Sequence, residues 1–271
     1  MASLTLTVTG PLVTVPAWAG AALNTSVAAT PSAILTLPTV AGRVGDNEDM
    51  RTNRNEIEFD VDVVRRWPLT HPDVEDLPNI ARRHEAARSL GFPVPAVLAL
   101  HTDHLVLERA AGSALVDTPL RPEAQRRLGQ ALAELLAKLR QVRSWPLPAQ
   151  SWPALWRDLD DLVGTPETAR AAMVARRAPV RLTHGDLSWG NLLVTPDGEL
   201  TAVIDWDGAT MADPAQDFAA LCANVDPEVA SVIRALTPDA DGMTERADAY
   251  MATWAVQNEL WQAGRHPWLG T

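Results

Sequence analysis

Between Val180 and Asp205 the chain passes through three short apolar stretches, VRLT, NLLV and LTAVID, separated by the Gly-containing loop HGDLSWG and a Pro-Asp-Gly turn. Stretches this short, bounded by turn signals, read as strands rather than helices. Such a frame fixes where its polar residues go. Asp186 and Asn191 flank the Gly-containing loop, so both side chains reach one cleft. Asp205 closes the strand antiparallel to the one that Asn191 opens, which returns it to the same end. Two carboxylates and an amide oxygen at a strand end make a hard, oxygen-only site of the kind that suits Mg²⁺. The remaining carboxylate can orient a hydroxyl and accept its proton. Phosphoryl transfer from a nucleotide needs little more, because positioning and charge neutralisation dominate its catalysis. Singly, Asp and Asn in loops commonly satisfy their own backbone. It is the ordered set His184, Asp186, Asn191 and Asp205 that points to a site.

The rest of the chain narrows the choice. At 271 residues it can bury one large core or build two lobes. A net charge of −11 argues against nucleic acid as a partner and favours cationic or neutral ligands. The single cysteine, Cys222, excludes an intrachain disulfide framework and lies in the apolar helical pattern FAALCANV, where a core thiol is expected. Residues 1–42 carry no charge, yet they lack the basic start of a signal peptide, and Pro, Thr and Ser interrupt every apolar run before it could span a membrane. LTLTVTG alternates with period two, as an edge strand does. A cytoplasmic protein is the expectation, with no membrane partner.

Along the chain, EIEFDVDVVRR at 56–66 reads as a strand. DLPNIARRHEAARSLG reads as a helix with Asp76 as N-cap, Pro78 in the first turn and Gly91 as the stop. PAVLAL and HLVLER form a hairpin-like pair. Leu128, Leu132, Leu135, Leu136 and Leu139 lie on a helical stripe. Residues 145–156 read as a loop, 167–177 as a further helix, and the chain is helical beyond Asp217. The fold class expected is α+β in two lobes: a small strand-rich lobe with one embedded helix over 1–110, and a larger, mainly helical lobe carrying the catalytic hairpin over 111–271, with a cleft between them.

HGDLSWGN followed by VIDWDGATMADPAQDFA resembles the catalytic core of the aminoglycoside phosphotransferase and choline kinase superfamily, which shares the protein-kinase fold. The resemblance implies that Asp186 is the catalytic base, that Asn191 and Asp205 are metal ligands, that His184 braces the loop and that Asp217 ties it down. VDVVRRW resembles the family's third strand, whose basic residue holds the nucleotide phosphates, and RRHEAARSLG its following helix, whose Glu pairs with that residue. The only lysine, Lys138, lies far downstream, so the resemblance gives the anchor to Arg65, with Arg66 second, and Glu85 as the counterion. Thr52, Asn53 and Asn55 are candidates for the nucleotide loop, and LVLERAAG resembles the hinge, with the backbone of Glu108 and Ala110 at the adenine edge and Gly112 opening the second lobe.

For the acceptor, Trp145, Trp152, Trp156, Trp254, Trp261 and Trp268 lie where this family builds its pocket, and Asp158, Asp160, Asp161 and Glu259 could pair with amines. The expectation is an antibiotic O-phosphotransferase using ATP, with GTP possible, and Mg²⁺, acting as a monomer or homodimer. A metabolic kinase for choline, a sugar or an amino alcohol shares every motif. A nucleotide-binding pseudokinase is the non-enzymatic alternative.

Overall fold

The computed structural model describes residues 50–51, 55–69, 71–147, 152–239 and 242–262. The stretch LTLTVTG and the candidates Thr52, Asn53 and Trp268 lie outside them. The first lobe is a five-stranded antiparallel sheet in the order β1-β2-β3-β5-β4, built from β1 (Met50–Arg51), β2 (Asn55–Phe59), β3 (Val63–Pro68), β4 (Val97–Leu100) and β5 (Leu105–Glu108). The single strand expected over 56–66 is therefore a hairpin. Asp60 turns the chain: its N–H donates to the Val63 carbonyl at 2.9 Å and its side chain accepts from the Val61 N–H at 2.7 Å. Aspartate favours such turns because its carboxylate satisfies backbone that a strand would otherwise pair.

The embedded helix α1 (His71–Ser89) begins five residues before the expected cap, so Asp76 and Pro78 lie inside it. Pro72 sits near its first position, where a missing N–H costs nothing. Asp76 serves side chains instead of the helix end, accepting from Asn79 at 2.6 Å and Arg83 at 2.9 Å. The helix stops where expected: Gly91 takes φ +78°, and the Phe92 N–H reaches back to the Ala87 carbonyl at 3.2 Å. Leu77, Ile80 and Ala81 of α1 pack with Leu105 and Leu107 into a small core beneath the sheet.

Beyond Gly112 the chain enters the second lobe through β6 (Ser113–Ala114), which pairs with β8 (Leu192–Val194). Helices α2 (Pro122–Gln141), α3 (Trp152–Val163), α4 (Pro166–Ala175), α5 (Ala215–Asn224), α6 (Pro227–Leu236), α7 (Met243–Met251) and α8 (Trp254–Gln262) make up most of it. The loop expected through residue 156 gives way to α3 at Trp152, because Leu155, Trp156 and Leu159 share one buried face. Leu128, Leu132, Leu136 and Leu139 of α2 enter the main core as the stripe predicts, each burial contributing roughly 1.5–3 kcal/mol.

Trp145, Trp156 and Trp254 are core residues and not pocket walls; Trp156 stacks on Tyr250 with ring centroids 4.6 Å apart. Cys222 is buried there too, and desolvation pushes its thiol up to about 11, the state of an inert core thiol. Lys138 joins α2 to the end of α1, donating to the Gly91 carbonyl at 2.5 Å and lying over the Phe92 ring. Among the described residues no helix is long and apolar enough to cross a membrane.

Candidate active site

The apolar stretches around the HGD loop form two ribbons. β8 and β9 (Leu200–Val203) make the expected antiparallel hairpin, with Leu192 opposite Val203. β7 (Arg181–Thr183) pairs instead with β10 (Thr210–Ala212), Thr183 opposite Thr210. Both ribbons end at the same place. The loop after β7 carries His184 and Asp186, and the loop after β9 carries Asp205.

His184 is fully buried and joins the loops. Its Nδ1 accepts from the Asp186 N–H at 3.2 Å, so Nε2 carries the proton and donates to the Ile204 carbonyl at 3.0 Å. Burial holds its pKa down at about 4, in keeping with a neutral ring that uses both nitrogens. Asp217 grips the same loop from α5, accepting from the His184 N–H at 2.7 Å and the Gly185 N–H at 3.0 Å. Burial pushes its carboxyl up to about 7, and those two N–H groups oppose the rise.

Asp186 lies at the end of this brace. Asn191 Nδ2 donates to its carboxylate at 2.8 Å and to its carbonyl at 3.0 Å. Both facing atoms are acceptors, so the amide nitrogen must point at them and Asn191 Oδ1 is turned the other way. The second Asp186 oxygen, Oδ1, is buried without a hydrogen-bond partner. Burial and then the Asp205 carboxylate drive the Asp186 pKa well above the usual carboxylate range. Asp205 is the one non-glycine residue with positive φ among the described residues, at φ 61° and ψ 58°. Left-handed backbone at an aspartate is uncommon and costs of order 1–3 kcal/mol. Here it turns the carboxylate, 38% exposed, into the cleft. Asp205 and Asn191 Oδ1 are oxygen donors suited to a hard cation. Among the described residues no three His, Cys, Asp or Glu side chains are grouped to hold an ion by themselves. Two oxygen donors are the kind of ligand set Mg²⁺ takes from a protein, its remaining positions being filled by water and phosphate.

Of the two arginines expected to supply a basic anchor, Arg66 and not Arg65 is the one that meets Asp205 and Asp207. Arg65 lies opposite Glu58 and pairs with it at 2.9 Å, and with Asp60 at 3.6 Å, on the outer face of the sheet. Arg66 points into the cleft, 9% exposed. Its Nε donates to Asn55 at 2.9 Å, Nη1 donates to Asp207 Oδ1 at 3.0 Å, Nη2 bonds Asp207 Oδ2, and Asp205 lies 3.6 Å away. Period-two alternation sends adjacent residues to opposite faces, and VVRR carries no mark of which arginine faces in. Glu85 does not meet Arg65. It is exposed and lines a groove of about 490 Å³ between α1 and β4, on the outside of the lobe. The α1 residue turned inward is His84, 2% exposed, whose pKa burial lowers to about 4 and which feels the charges of Asp207 and Arg66.

The other expectations divide. Asn55 joins the site through Arg66. The Glu108 N–H, expected at the adenine edge, donates to the Ala96 carbonyl at 2.8 Å, and the Glu108 side chain accepts from the Ala96 N–H at 3.1 Å. Ala110, half-buried, lies in the connecting segment that follows. Asp160 is taken up by Thr168 at 2.8 Å in the capping network that opens α4. Asp158 pairs with its neighbour Arg157 at 3.0 Å, while Asp161 and Glu259 are exposed. Trp152 opens α3 and Trp261 lies near the end of α8. Asp207, bound to Arg66, is the residue of this cluster that sequence reasoning misses; its place two residues after Asp205 in IDWDG is the available signal.

A five-stranded lobe with one helix, set on a helical lobe that presents Asp186, Asn191 and Asp205 from paired loops, is the architecture of the protein-kinase-like phosphotransferases. The chain belongs to the Phosphotransferase enzyme family, which it matches over residues 59–252. It is 34% identical over 206 residues to viomycin phosphotransferase of Streptomyces vinaceus, a match covering 65% of this chain and 72% of that one. Among solved structures it is similar to the GDP and kanamycin complex of APH(2"), with a TM-score of 0.62 at 18% identity over 80% of this chain and 86% of that one. It is likewise similar to a macrolide 2'-phosphotransferase from Brachybacterium faecium, with a TM-score of 0.60 at 18% identity over 80% and 86%.

Proposed function

We propose that the chain transfers the γ-phosphoryl group of ATP, or of GTP, to a hydroxyl of a small cationic antibiotic of the viomycin or aminoglycoside type, and so inactivates it. The observation that carries this reading is the buried Asp186 carboxylate, which Asn191 holds through one oxygen beside the Asp205 carboxylate. The acceptor class is supported by the viomycin-acting relative and by a net charge of −11, which favours a cationic acceptor.

In this reading Asp186 Oδ1 accepts a hydrogen bond from the acceptor hydroxyl, aims its oxygen at the γ-phosphorus and receives its proton as the new P–O bond forms. Such a base typically contributes ~10²–10⁴-fold. Asn191 keeps the carboxylate in one attitude, and the Asp217–His184 brace holds the loop that carries it. Arg66 meets the phosphates from the first lobe. Asp205 and Asn191 Oδ1 would hold Mg²⁺, which when bound neutralises phosphate charge. The lobes divide this work at about residues 108–112, nucleotide on one side and acceptor on the other, and the cytoplasm supplies both nucleotide and cation.

Nucleotide turnover measured against a panel of viomycin, aminoglycosides, macrolides, choline and simple sugars tests the reading. Acceptor-dependent turnover with the cationic antibiotics is expected. Turnover confined to choline or sugars would make the chain a metabolic kinase, and nucleotide binding without any transfer would make it a pseudokinase.

A further inference from the structure

The basic anchor of a kinase-like site needs an acidic partner to hold it, and in this family's pattern the partner comes from the helix of the first lobe. Among the described side chains of that helix, no carboxylate does so here. Glu85 faces the outer groove, and the inward residue, His84, is a buried imidazole and not a carboxylate. The carboxylate comes from the second lobe instead. Asp207 engages Arg66 fork to fork, Oδ1 to Nη1 at 3.0 Å and Oδ2 to Nη2, while Asn55 holds Nε at 2.9 Å. Both side chains are largely withdrawn from solvent, 11% exposed for Arg66 and 15% for Asp207. Two parallel charge-assisted hydrogen bonds fix the plane of a guanidinium as well as its position.

We propose that Asp207 is the positioning residue for Arg66, in place of a helix carboxylate. The proposal rests on the phosphotransferase reading above. Asp207 lies two residues after Asp205 and inside the turn Trp206–Gly208 that follows it. The phosphate anchor of one lobe and the metal-binding loop of the other therefore form one unit.

Metal-free ADP affinity, measured by calorimetry in EDTA on the full chain, tests this without relying on turnover. Asp207→Asn keeps the volume and loses the charge-assisted fork, and should weaken ADP binding about tenfold. In an Arg66→Ala background the same change should have no further effect, because the group it positions is gone. Glu85→Ala should leave affinity unchanged. Should Asp207→Asn fail to fold, as read by thermal unfolding, Asp207→Glu serves in its place, with a smaller loss that again vanishes in Arg66→Ala. An equal loss in both backgrounds, a loss seen only when Mg²⁺ is added, or a loss from Glu85→Ala would each overturn the proposal while leaving the phosphotransferase reading intact. A wild-type chain that binds no ADP would overturn that reading and this proposal with it.

Discussion

Gly185 and Gly208 lie back to back, so close that a Cβ on Gly185 would sit 2.7 Å from the Gly208 carbonyl oxygen. Gly185 also has φ +85°, a conformation L side chains rarely adopt. The catalytic loop and the loop after Asp205 touch through bare backbone at this point, and the distance between Asp186 and Asp205 depends on that contact.

Gly185→Ala should therefore destabilise the fold by about 1–3 kcal/mol, through the backbone conformation and the clash together. Gly190→Ala is the control within the same segment, since nothing lies within 4 Å of a Cβ there. Denaturant unfolding of the two variants should separate them clearly. Equal stabilities would mean the two loops can part at little cost.

Arg66→Ala should raise the KM for nucleotide and lower kcat, each by about tenfold or more, because a charge-assisted phosphate contact is lost. Arg65→Ala should change neither appreciably: its pair with Glu58 is partly exposed, and such pairs contribute at most about 1 kcal/mol. Steady-state kinetics of both variants decide the point. Arg65→Ala as the damaging change would restore the register first expected from the sequence.

The difference between those two arginines shows how far the sequence reaches. The hairpin, its convergent Asp186, Asn191 and Asp205, the stop at Gly91 and the leucine stripe of α2 were all legible, because each depends on local periodicity or turn chemistry. Which arginine faces inward depends on how β3 pairs with β2 and β5. That register is set by packing under α1 and not by VVRR itself. For α3 the reason is related: prolines and tryptophans there read as loop, while burial of Leu155, Trp156 and Leu159 on one face overrides that preference. Asp207 carries no local signal of its own, because its partner Arg66 lies 141 residues away.

Burial also writes a pH dependence into stability. His84 has its pKa held at about 4 against an ordinary 6.5. Between those values the unfolded chain binds a proton that the folded chain does not. The stability this histidine contributes is complete above about pH 6.5 and is lost as the pH falls toward about 4. Asp217, raised to about 7, titrates in the opposite sense across the same window, so wild type alone would mask the effect. His84→Phe should gain stability relative to wild type as the pH is lowered from neutrality to about 4, by up to about 3 kcal/mol. Urea unfolding of the pair across that range checks it, and a difference that stays constant with pH would count against a neutral, buried His84.

Whether Asp186 directs a hydroxyl onto the γ-phosphorus is tested most directly by the intact mass of the acceptor. Viomycin and a representative aminoglycoside are incubated with Mg-ATP and either the wild-type chain or Asp186→Asn, a variant that keeps the side chain's size and an acceptor oxygen for Asn191. Wild type should add one phosphoryl group to at least one of the two compounds, and Asp186→Asn should do so ~10²–10⁴-fold more slowly, with nucleotide binding retained. Equal rates of phosphoryl addition by the two chains would contradict the account.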